Sequence, residues 1–138
     1  MNRIIYLISI IFLIACESPL IKKIDSTYPN NASKKISYFQ EIDGKEMKVE
    51  EKYFHQNGKL KMNGKFLNGK REGEWVAYFN NEQLQSIGTF KNGYRVGEAK
   101  VYFPNGQMRY EGQYENDKEV GHWKFYNEQG KLVKEEDF

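Results

Sequence analysis

A period of 24 residues constrains the fold of this chain more than any other feature of its sequence. From residue 54 to residue 138 the chain superposes on itself at that shift without a gap, and several columns keep one residue type. Such agreement is typical of repeat architectures in which each unit is one supersecondary element. We predict about three and a half units, at 54–77, 78–101, 102–125 and 126–138. The clearest columns are an aromatic one (Phe54, Tyr78, Tyr102, Tyr126) and two of glycine (Gly64, Gly88, Gly112 and Gly73, Gly97, Gly121).

Two turn signals divide each unit into short segments rich in aromatic and β-branched residues. Asn-Gly favours a two-residue type I′ turn, because both central residues of that turn need a positive φ. Asn92-Gly93 and Asn105-Gly106 are clear cases, whereas Asn81-Glu82 and Asn116-Asp117 depart from the pair and leave a longer or strained turn open. Aromatic residues make up 15% of the chain, which favours strands over helices. The sequence therefore predicts an all-β antiparallel array of repeated β-hairpins.

Two-residue turns would also fix which residues face each other across the hairpins. A turn at Asn81-Glu82 pairs Trp75 with Gly88, Gly73 with Phe90 and Phe79 with Leu84. In the next unit the same rule pairs Gly97 with Tyr114, Ala99 with Gly112 and Phe103 with Met108. We predict that the repeat glycines are seats on which aromatic rings of a neighbouring strand lie. β-bulges or further turns are the alternative reading of these glycines.

Alternation of side chains along the strands gives the predicted sheet two unlike faces. One is apolar and the other is mainly charged or polar. No second layer is evident, so the apolar face has to be covered by curling of the sheet, by residues 36–53, by a second copy of the chain or by a partner. We predict that the apolar face is the binding face, through Trp75, Phe79, Phe90, Phe103, Tyr114, Trp123 and Phe125.

The N-terminal segment has the features of an export signal. A short positive end precedes an apolar run from Ile4 to Ala15, which is too short to cross a bilayer as a helix of about 20 residues. The run ends in Leu13-Ile14-Ala15-Cys16, which resembles the lipobox of bacterial lipoproteins. The resemblance implies a cleaved signal helix at 1–15 and a lipidated Cys16, which anchors the exported chain to a bacterial membrane on its periplasmic or cell-surface side. An uncleaved signal anchor with an incidental cysteine is the alternative.

Residues 16–35 and 36–53 lie between the signal and the repeats. The first segment is polar, contains two prolines and has no periodic apolar face, so we predict a flexible tether. The second segment is more strand-like. We predict degenerate first strands there, with a hairpin around Asp43-Gly44.

Composition and spacing argue against several classes of function. Lys and Arg number 21 against 19 Asp and Glu, a balance unlike that of a nucleic-acid binder. Cys16 is the only cysteine, so no intramolecular disulfide and no zinc site with several cysteines can form. His55 and His122 lack metal-ligand spacing, and no phosphate loop or nucleophile motif is present. We predict a protein that is not an enzyme and needs no cofactor or metal.

The repeat pattern resembles a known family. Gly-x-Trp-x-x-Tyr, as in Gly121–Tyr126, alternates with Asn-Gly-x-Leu and Gly-x-Phe or Gly-x-Tyr segments over residues 54–138. This pattern is similar to the MORN-repeat variant, named after the membrane occupation and recognition nexus. The resemblance implies an elongated, twisted, single-layer β-meander used as a scaffold or binding surface, without shared catalytic residues. Ala99 in the tryptophan column and Glu82 in a turn-glycine column depart from the pattern, so we expect looser packing in the middle unit.

These features together predict a membrane-anchored lipoprotein that acts as a non-enzymatic protein-binding or scaffold module in the bacterial envelope. The expected partner is an unidentified protein, and a homo-oligomer is also compatible with the sequence. Because some bacterial relatives are described as antitoxins, an antitoxin or immunity protein that neutralises a toxin is the alternative. Rows of aromatic residues keep an envelope carbohydrate binder open as a second alternative.

Overall fold

Ten strands form one antiparallel sheet in which every strand pairs with the next one along the chain. The structure is a computed structural model, and it describes residues 18–138, so the predicted signal segment and Cys16 lie outside the described residues. The predicted all-β, single-layer meander of hairpins is confirmed. The strands are β1 (Ile21–Thr27), β2 (Ser33–Ile42), β3 (Lys45–Phe54), β4 (Leu60–Leu67), β5 (Lys70–Tyr78), β6 (Leu84–Lys91), β7 (Tyr94–Tyr102), β8 (Met108–Glu115), β9 (Lys118–Tyr126) and β10 (Leu132–Asp137).

Two kinds of tight turn alternate along the sheet. Turns of two residues with positive φ at both positions lie at 43–44, 68–69, 92–93 and 116–117. Asn92 and Gly93, for example, have φ of 53° and 91°, which is the type I′ geometry predicted there. Asn116 and Asp117 adopt the same geometry with φ of 51° and 66°, although no glycine is present.

The other turns contain three residues, so the two-residue turn predicted at Asn105-Gly106 was wrong. At Asn81-Glu82 the structure has the longer turn that its departure from Asn-Gly left open. The amide of Gly106 donates to the Phe103 carbonyl over 2.9 Å, and the amide of Phe103 donates to the Gln107 carbonyl over 2.8 Å. This is a type I turn followed by a left-handed residue. Pro104 explains the extra residue, because a proline has no N–H for a strand ladder but suits the first central position of a type I turn.

The longer turns shift part of the predicted register by one residue. Trp75–Gly88 and Gly73–Phe90 pair as predicted, and so do Gly97–Tyr114 and Ala99–Gly112. The predicted pairs of Phe79 with Leu84 and Phe103 with Met108 were wrong, since Tyr78 and Tyr102 take those places beside β-bulges. The bulge also places Leu84 on the polar face, beside Glu74 and Tyr102.

The N-terminal part of the described chain belongs to the sheet. The prediction of a flexible tether at 16–35 was wrong for Ile21–Thr27, which forms β1, and for Ser33–Lys35, which begins β2. Every residue of β1 is exposed. Because no face of this strand is buried, its sequence lacks the alternating apolar pattern from which a strand could be predicted. The hairpin predicted around Asp43-Gly44 is confirmed as β2 and β3. Its strands extend the sheet sideways and do not cover the apolar face.

Most buried residues of this sheet lie in a single row that crosses the strands. Among residues 18–138 the buried hydrophobic side chains are Ile36, Trp75 and Trp123, and the buried polar ones are Ser37 and Glu51. Strand pairing aligns most of these with the glycines of the repeat. We define the central row as Ser37, Glu51, Gly64, Trp75, Gly88, Ala99 and Gly112, joined in that order by the pairing of neighbouring strands, with Trp123 beside Gly112.

Candidate functional site

The two glycine columns of the repeat have different structural roles. Gly73, Gly97 and Gly121 have φ of 71°, 68° and 68°. Between β4 and β5, Gly73 and the residue after it lie outside the pairing, so this column marks a β-bulge. A Cβ built on any of the three would meet nothing within 4 Å. The prediction that these glycines are ring seats was therefore wrong, and the alternative reading as bulges describes them.

The other glycine column does carry aromatic rings. A Cβ on Gly64 would lie 2.1 Å from Cδ2 of Trp75, and a Cβ on Gly112 would lie 2.1 Å from Cδ2 of Trp123. No side chain fits there, because the indole rests on the bare glycine backbone. Each ring lies on the strand that precedes its own, so Trp75 is seated on Gly64 and not on its predicted partner Gly88. We call this arrangement an indole seat.

The N–H group of each seated indole also has a hydrogen-bond acceptor. Nε1 of Trp75 donates to the Lys65 carbonyl over 3.2 Å, and Nε1 of Trp123 donates to the Val120 carbonyl over 3.2 Å. These bonds matter because the two side chains are only 4% and 1% exposed, and a buried indole N–H without an acceptor is unfavourable. The seat therefore provides both a glycine floor and a backbone acceptor.

Further aromatic rings and cations surround the seated indoles. Phe66 and Phe90 meet Trp75 edge-on at centroid distances of 5.4 and 5.9 Å. The guanidinium carbon of Arg71 lies 4.1 Å from the Trp75 ring centroid. Such contacts add to the burial of apolar area. Around Trp123 the neighbouring rings are Tyr110, Tyr114, Phe125 and Phe138.

The seat between these two clusters has no ring. In the tryptophan column its residue is Ala99, and a Cβ on Gly88 would meet only the Ala99 Cβ, at 3.9 Å. A cavity of about 250 Å³ opens above Gly88. For comparison, an engineered apolar cavity of about 150 Å³ accommodates benzene. The aromatic residues that line the cavity above Gly88 are Trp75, Phe90, Tyr110 and Tyr114.

Two arginines also line this cavity, and they differ in their ionic partners. Nε of Arg95 lies 3.2 Å from Oδ1 of Asp117, which also accepts the Arg95 amide over 2.8 Å. The hydrogen bond from the Arg95 amide is the main reason that the pKa of Asp117 lies below its usual range, and the bond from the Arg95 side chain adds to it. Arg71 stacks on Trp75, and within residues 18–138 no carboxylate lies within ion-pair distance of it. The cavity therefore combines aromatic walls with a guanidinium that lacks a carboxylate partner in the described chain.

Glu51 stands in the tryptophan column just ahead of the unit at 54–77, and a buried ion cluster takes the place of a ring there. Its carboxylate is 2.8 Å from Nζ of Lys35 and 2.6 Å from Nζ of Lys48, and it accepts the Tyr53 hydroxyl over 3.0 Å. Burial alone would raise the pKa of Glu51, but the hydrogen bonds from the two lysines and Tyr53 lower it overall. The sequence analysis missed this cluster, although Glu51 stands 24 residues before Trp75.

Both histidines make hydrogen bonds within the sheet. Nε2 of His55 is 3.0 Å from the Tyr78 carbonyl, and His122 is bonded to Asp137 and Glu135 over 2.8 and 3.0 Å. These bonds, first the one to Glu135, raise the pKa of His122. Within residues 18–138 no group of three or more potential ligands is placed to hold a metal ion. In the same part of the chain, no helix is long and apolar enough to span a membrane.

The residues of the predicted binding face fall into three groups. Trp75 and Trp123 form the core, so little of either ring is accessible. Phe90, Tyr114 and Phe125 are half-buried members of the two clusters. Phe79 and Phe103 flank three-residue turns, and neither belongs to a ring pair found in the described chain. The role of these residues in binding stays a prediction.

Comparison with known proteins places the repeat in a family. The family model described as MORN repeat variant matches residues 48–68, 71–92, 95–116 and 119–138, more than half of the chain. The first match begins before residue 54, so the repeat includes part of the segment predicted to be degenerate. Repeats of this family are generally involved in binding proteins or membranes. No curated protein and no solved structure matches the chain.

Proposed function

The chain belongs to the MORN repeat variant family, and on that premise we propose that it is a membrane-anchored lipoprotein and a non-enzymatic module that binds a protein partner in the bacterial envelope. The observation that carries this proposal is the apolar face of the single-layer sheet, which holds the rings around Trp75 and Trp123 and the open cavity above Gly88. We call it the aromatic face. Aromatic residues and arginine are enriched in protein interfaces, and they dominate the residues whose truncation weakens binding.

The ionisable groups support binding over catalysis. Glu51 and His122 have shifted pKa values, and each of them is held by its own ionic partners. The cavity is lined by aromatic and aliphatic side chains, two arginines and the hydroxyl residues Ser86 and Thr89. Among the described residues that line it, none is a carboxylate, histidine or thiol that could act as a base or activate a hydroxyl. Acid–base or nucleophilic chemistry needs such a group within reach of a substrate.

Lipidation of Cys16 would place the sheet close to the membrane. β1 begins at Ile21, so only residues 17–20 separate the predicted anchor from the first strand. An extended chain spans at most about 3.6 Å per residue, so this link reaches no further than about 20 Å. The partner is then expected at or near the same membrane surface.

Photocrosslinking in cells tests the proposal with a matched pair of positions. Phe125 lies on the aromatic face and Tyr102 on the polar face, and both are half-buried aromatic residues. With p-benzoylphenylalanine at 125 we expect discrete protein adducts, which weaken when Cys16→Ser removes the lipid. At 102 we expect none. Equal adducts at both positions, or none at either, would contradict the proposal.

Radiolabelled palmitate tests the anchor separately. We expect incorporation into the wild-type chain and its loss in Cys16→Ser. Incorporation that persists in the variant, or is absent from the wild-type chain, would show that Cys16 is not the anchor. The crosslinking result at position 125 would then decide the protein-binding part alone.

A further inference from the structure

The tryptophan column of the repeat reads Glu51, Trp75, Ala99 and Trp123, so one indole seat on the aromatic face has no indole. The backbone of the empty seat matches that of the filled ones. Gly88 lies in the central row, and the bulge glycine of this unit, Gly97, has a φ of 68°, against 71° at Gly73 and 68° at Gly121.

Packing within the chain does not require glycine at position 88. A Cβ there would make one ordinary contact at 3.9 Å, whereas at Gly64 and Gly112 it would overlap an indole at 2.1 Å. Glycine weakens a strand because it has no side chain to pack and loses more backbone freedom than other residues. The open floor at Gly88 therefore suits a ring that comes from outside the chain.

The filled seats also indicate which kind of ring fits. Lys65, whose carbonyl accepts Nε1–H of Trp75, corresponds to Thr89 in the empty unit, and Val120, which serves Trp123, corresponds to Val96. Both Thr89 and Val96 line the cavity. An indole would find an apolar floor, aromatic neighbours and an N–H acceptor there, whereas a phenyl ring could not use the acceptor.

The charges at the cavity define the surroundings of that ring. Arg71 has no carboxylate partner in the described chain, while Arg95 is paired with Asp117. An acidic group beside the incoming ring could pair with Arg71 without displacing an existing ion pair. A second copy of this chain cannot supply the ring, because both of its tryptophans are buried.

We propose that the vacant seat above Gly88 binds the tryptophan side chain of a protein partner, from a segment with an acidic residue next to that tryptophan. The proposal rests on the proposed protein-binding function and names the chemistry of the partner. The ring inserts between the clusters of Trp75 and Trp123 and completes the row of indoles.

Titration of the full chain with N-acetyl-tryptophanamide tests the seat directly, with N-acetyl-leucinamide as the control probe. We expect saturable shifts of the Gly88 amide and Ala99 methyl NMR signals, with a dissociation constant of about 1–10 mM for so small a ligand. The dipeptide acetyl-Trp-Glu-amide should bind about two- to fivefold tighter, and Arg71→Gln should remove that gain. Equal response to the leucine probe, or no saturation, would overturn the proposal.

Two tryptophan variants provide the matched control. Ala99→Trp fills the seat and should weaken binding of the probe at least tenfold, while Glu98→Trp adds an indole on the polar face and should leave binding unchanged. Circular dichroism establishes that both variants fold. Unchanged binding by folded Ala99→Trp would show that the probe binds elsewhere, and the seat proposal would be wrong.

Crosslinking from position 125 separates this proposal from the function on which it rests. Loss of the protein adduct in Ala99→Trp, but not in Glu98→Trp, supports the seat as the partner site. An adduct that persists in Ala99→Trp refutes the seat and leaves the protein-binding function standing. Absence of adducts in the wild-type chain refutes that function, and saturable indole binding would then still support the chemistry of the seat.

Discussion

Gly64→Ala and Gly88→Ala are the same substitution in equivalent positions of neighbouring repeats, and the structure predicts opposite effects. At Gly64 the new methyl group would lie 2.1 Å from the Trp75 ring, so the ring would have to move by about 1.5 Å to restore an ordinary contact. At Gly88 the nearest atom is 3.9 Å away. The difference comes from whether an indole occupies the seat.

The magnitudes follow from the packing of the ring. Overpacking of a well-packed site costs about 1–3 kcal/mol, and expulsion of a buried tryptophan has an upper limit of about 3–5 kcal/mol. We therefore expect Gly64→Ala to lower the free energy of unfolding by about 2–4 kcal/mol. Gly88→Ala should raise it by about 0.4–1 kcal/mol, because alanine reduces the entropy of the unfolded chain and φ at Gly88 is not positive.

Urea denaturation monitored by far-UV circular dichroism measures both changes. With a slope of about 1–3 kcal/mol/M, the two midpoints should differ by about 1 M or more. A double-mutant cycle with Trp75→Ala tests the cause, since Gly64→Ala should become nearly neutral once the ring is gone. Equal midpoints for the two alanine variants, or a Gly64→Ala penalty that survives the loss of Trp75, would refute the reasoning.

Three further predictions concern polar groups of the sheet. The folded pKa of His122 is raised, first by Glu135 and then by Asp137. Its stabilising contribution should therefore be present below about pH 6.5 and lost as pH rises through the folded pKa. A His122→Gln variant whose pH profile of thermal stability matches that of the wild-type chain would contradict this prediction. The folded pKa of Glu51 is lowered overall, so its contribution should be present above about pH 4.3 and lost as pH falls through the folded pKa. Glu51→Gln should lower the free energy of unfolding in urea at pH 7 by about 1–3 kcal/mol, and a neutral effect would count against the ion cluster. Glu82 has a φ of 68° at a position where the other three-residue turns within 54–138 have glycine, so Glu82→Gly should raise the free energy of unfolding by about 0.5–1 kcal/mol. A loss of stability would show that the ion pair of Glu82 with Lys59 outweighs the strain.

The sequence predicted those parts of the fold that depend on local chemistry. Asn92-Gly93 specifies a type I′ turn, which is the turn found there. The pairing of Trp75 with Gly88 was also predicted correctly. It is kept although the turn at Asn81-Glu82 has three residues, because the β-bulge beside Tyr78 offsets the extra residue. Alternation does not reveal toward which neighbouring strand a ring leans, so the true seat of Trp75, Gly64, was not predicted. The three-residue turn at 104–106 contains Asn-Gly, the usual pair of a two-residue turn, so the sequence pattern did not show that Pro104 also belongs to the turn.

Other features could not be predicted because they lack a pattern of apolar residues. β1 is held in the sheet by strand pairing and polar contacts, such as the bond from the Ser37 hydroxyl to Asp25, and all of its residues are exposed. Glu51 lies before the predicted start of the repeat, so its position in the tryptophan column was not recognised. Ala99 was identified as a departure from the column, and it was interpreted as looser packing. A ring-sized cavity follows only from the three-dimensional arrangement around Gly88.

A crystal structure of Ala99→Trp tests most directly the central claim that the unit at 78–101 contains an intact but empty indole seat. The account predicts that the new indole lies on the Gly88 backbone, as Trp75 lies on Gly64, with its N–H bonded to the carbonyl of Thr89 or Val96. Trp75 should not move. A ring that points into solvent, or a shift in the register of β7, would contradict the claim.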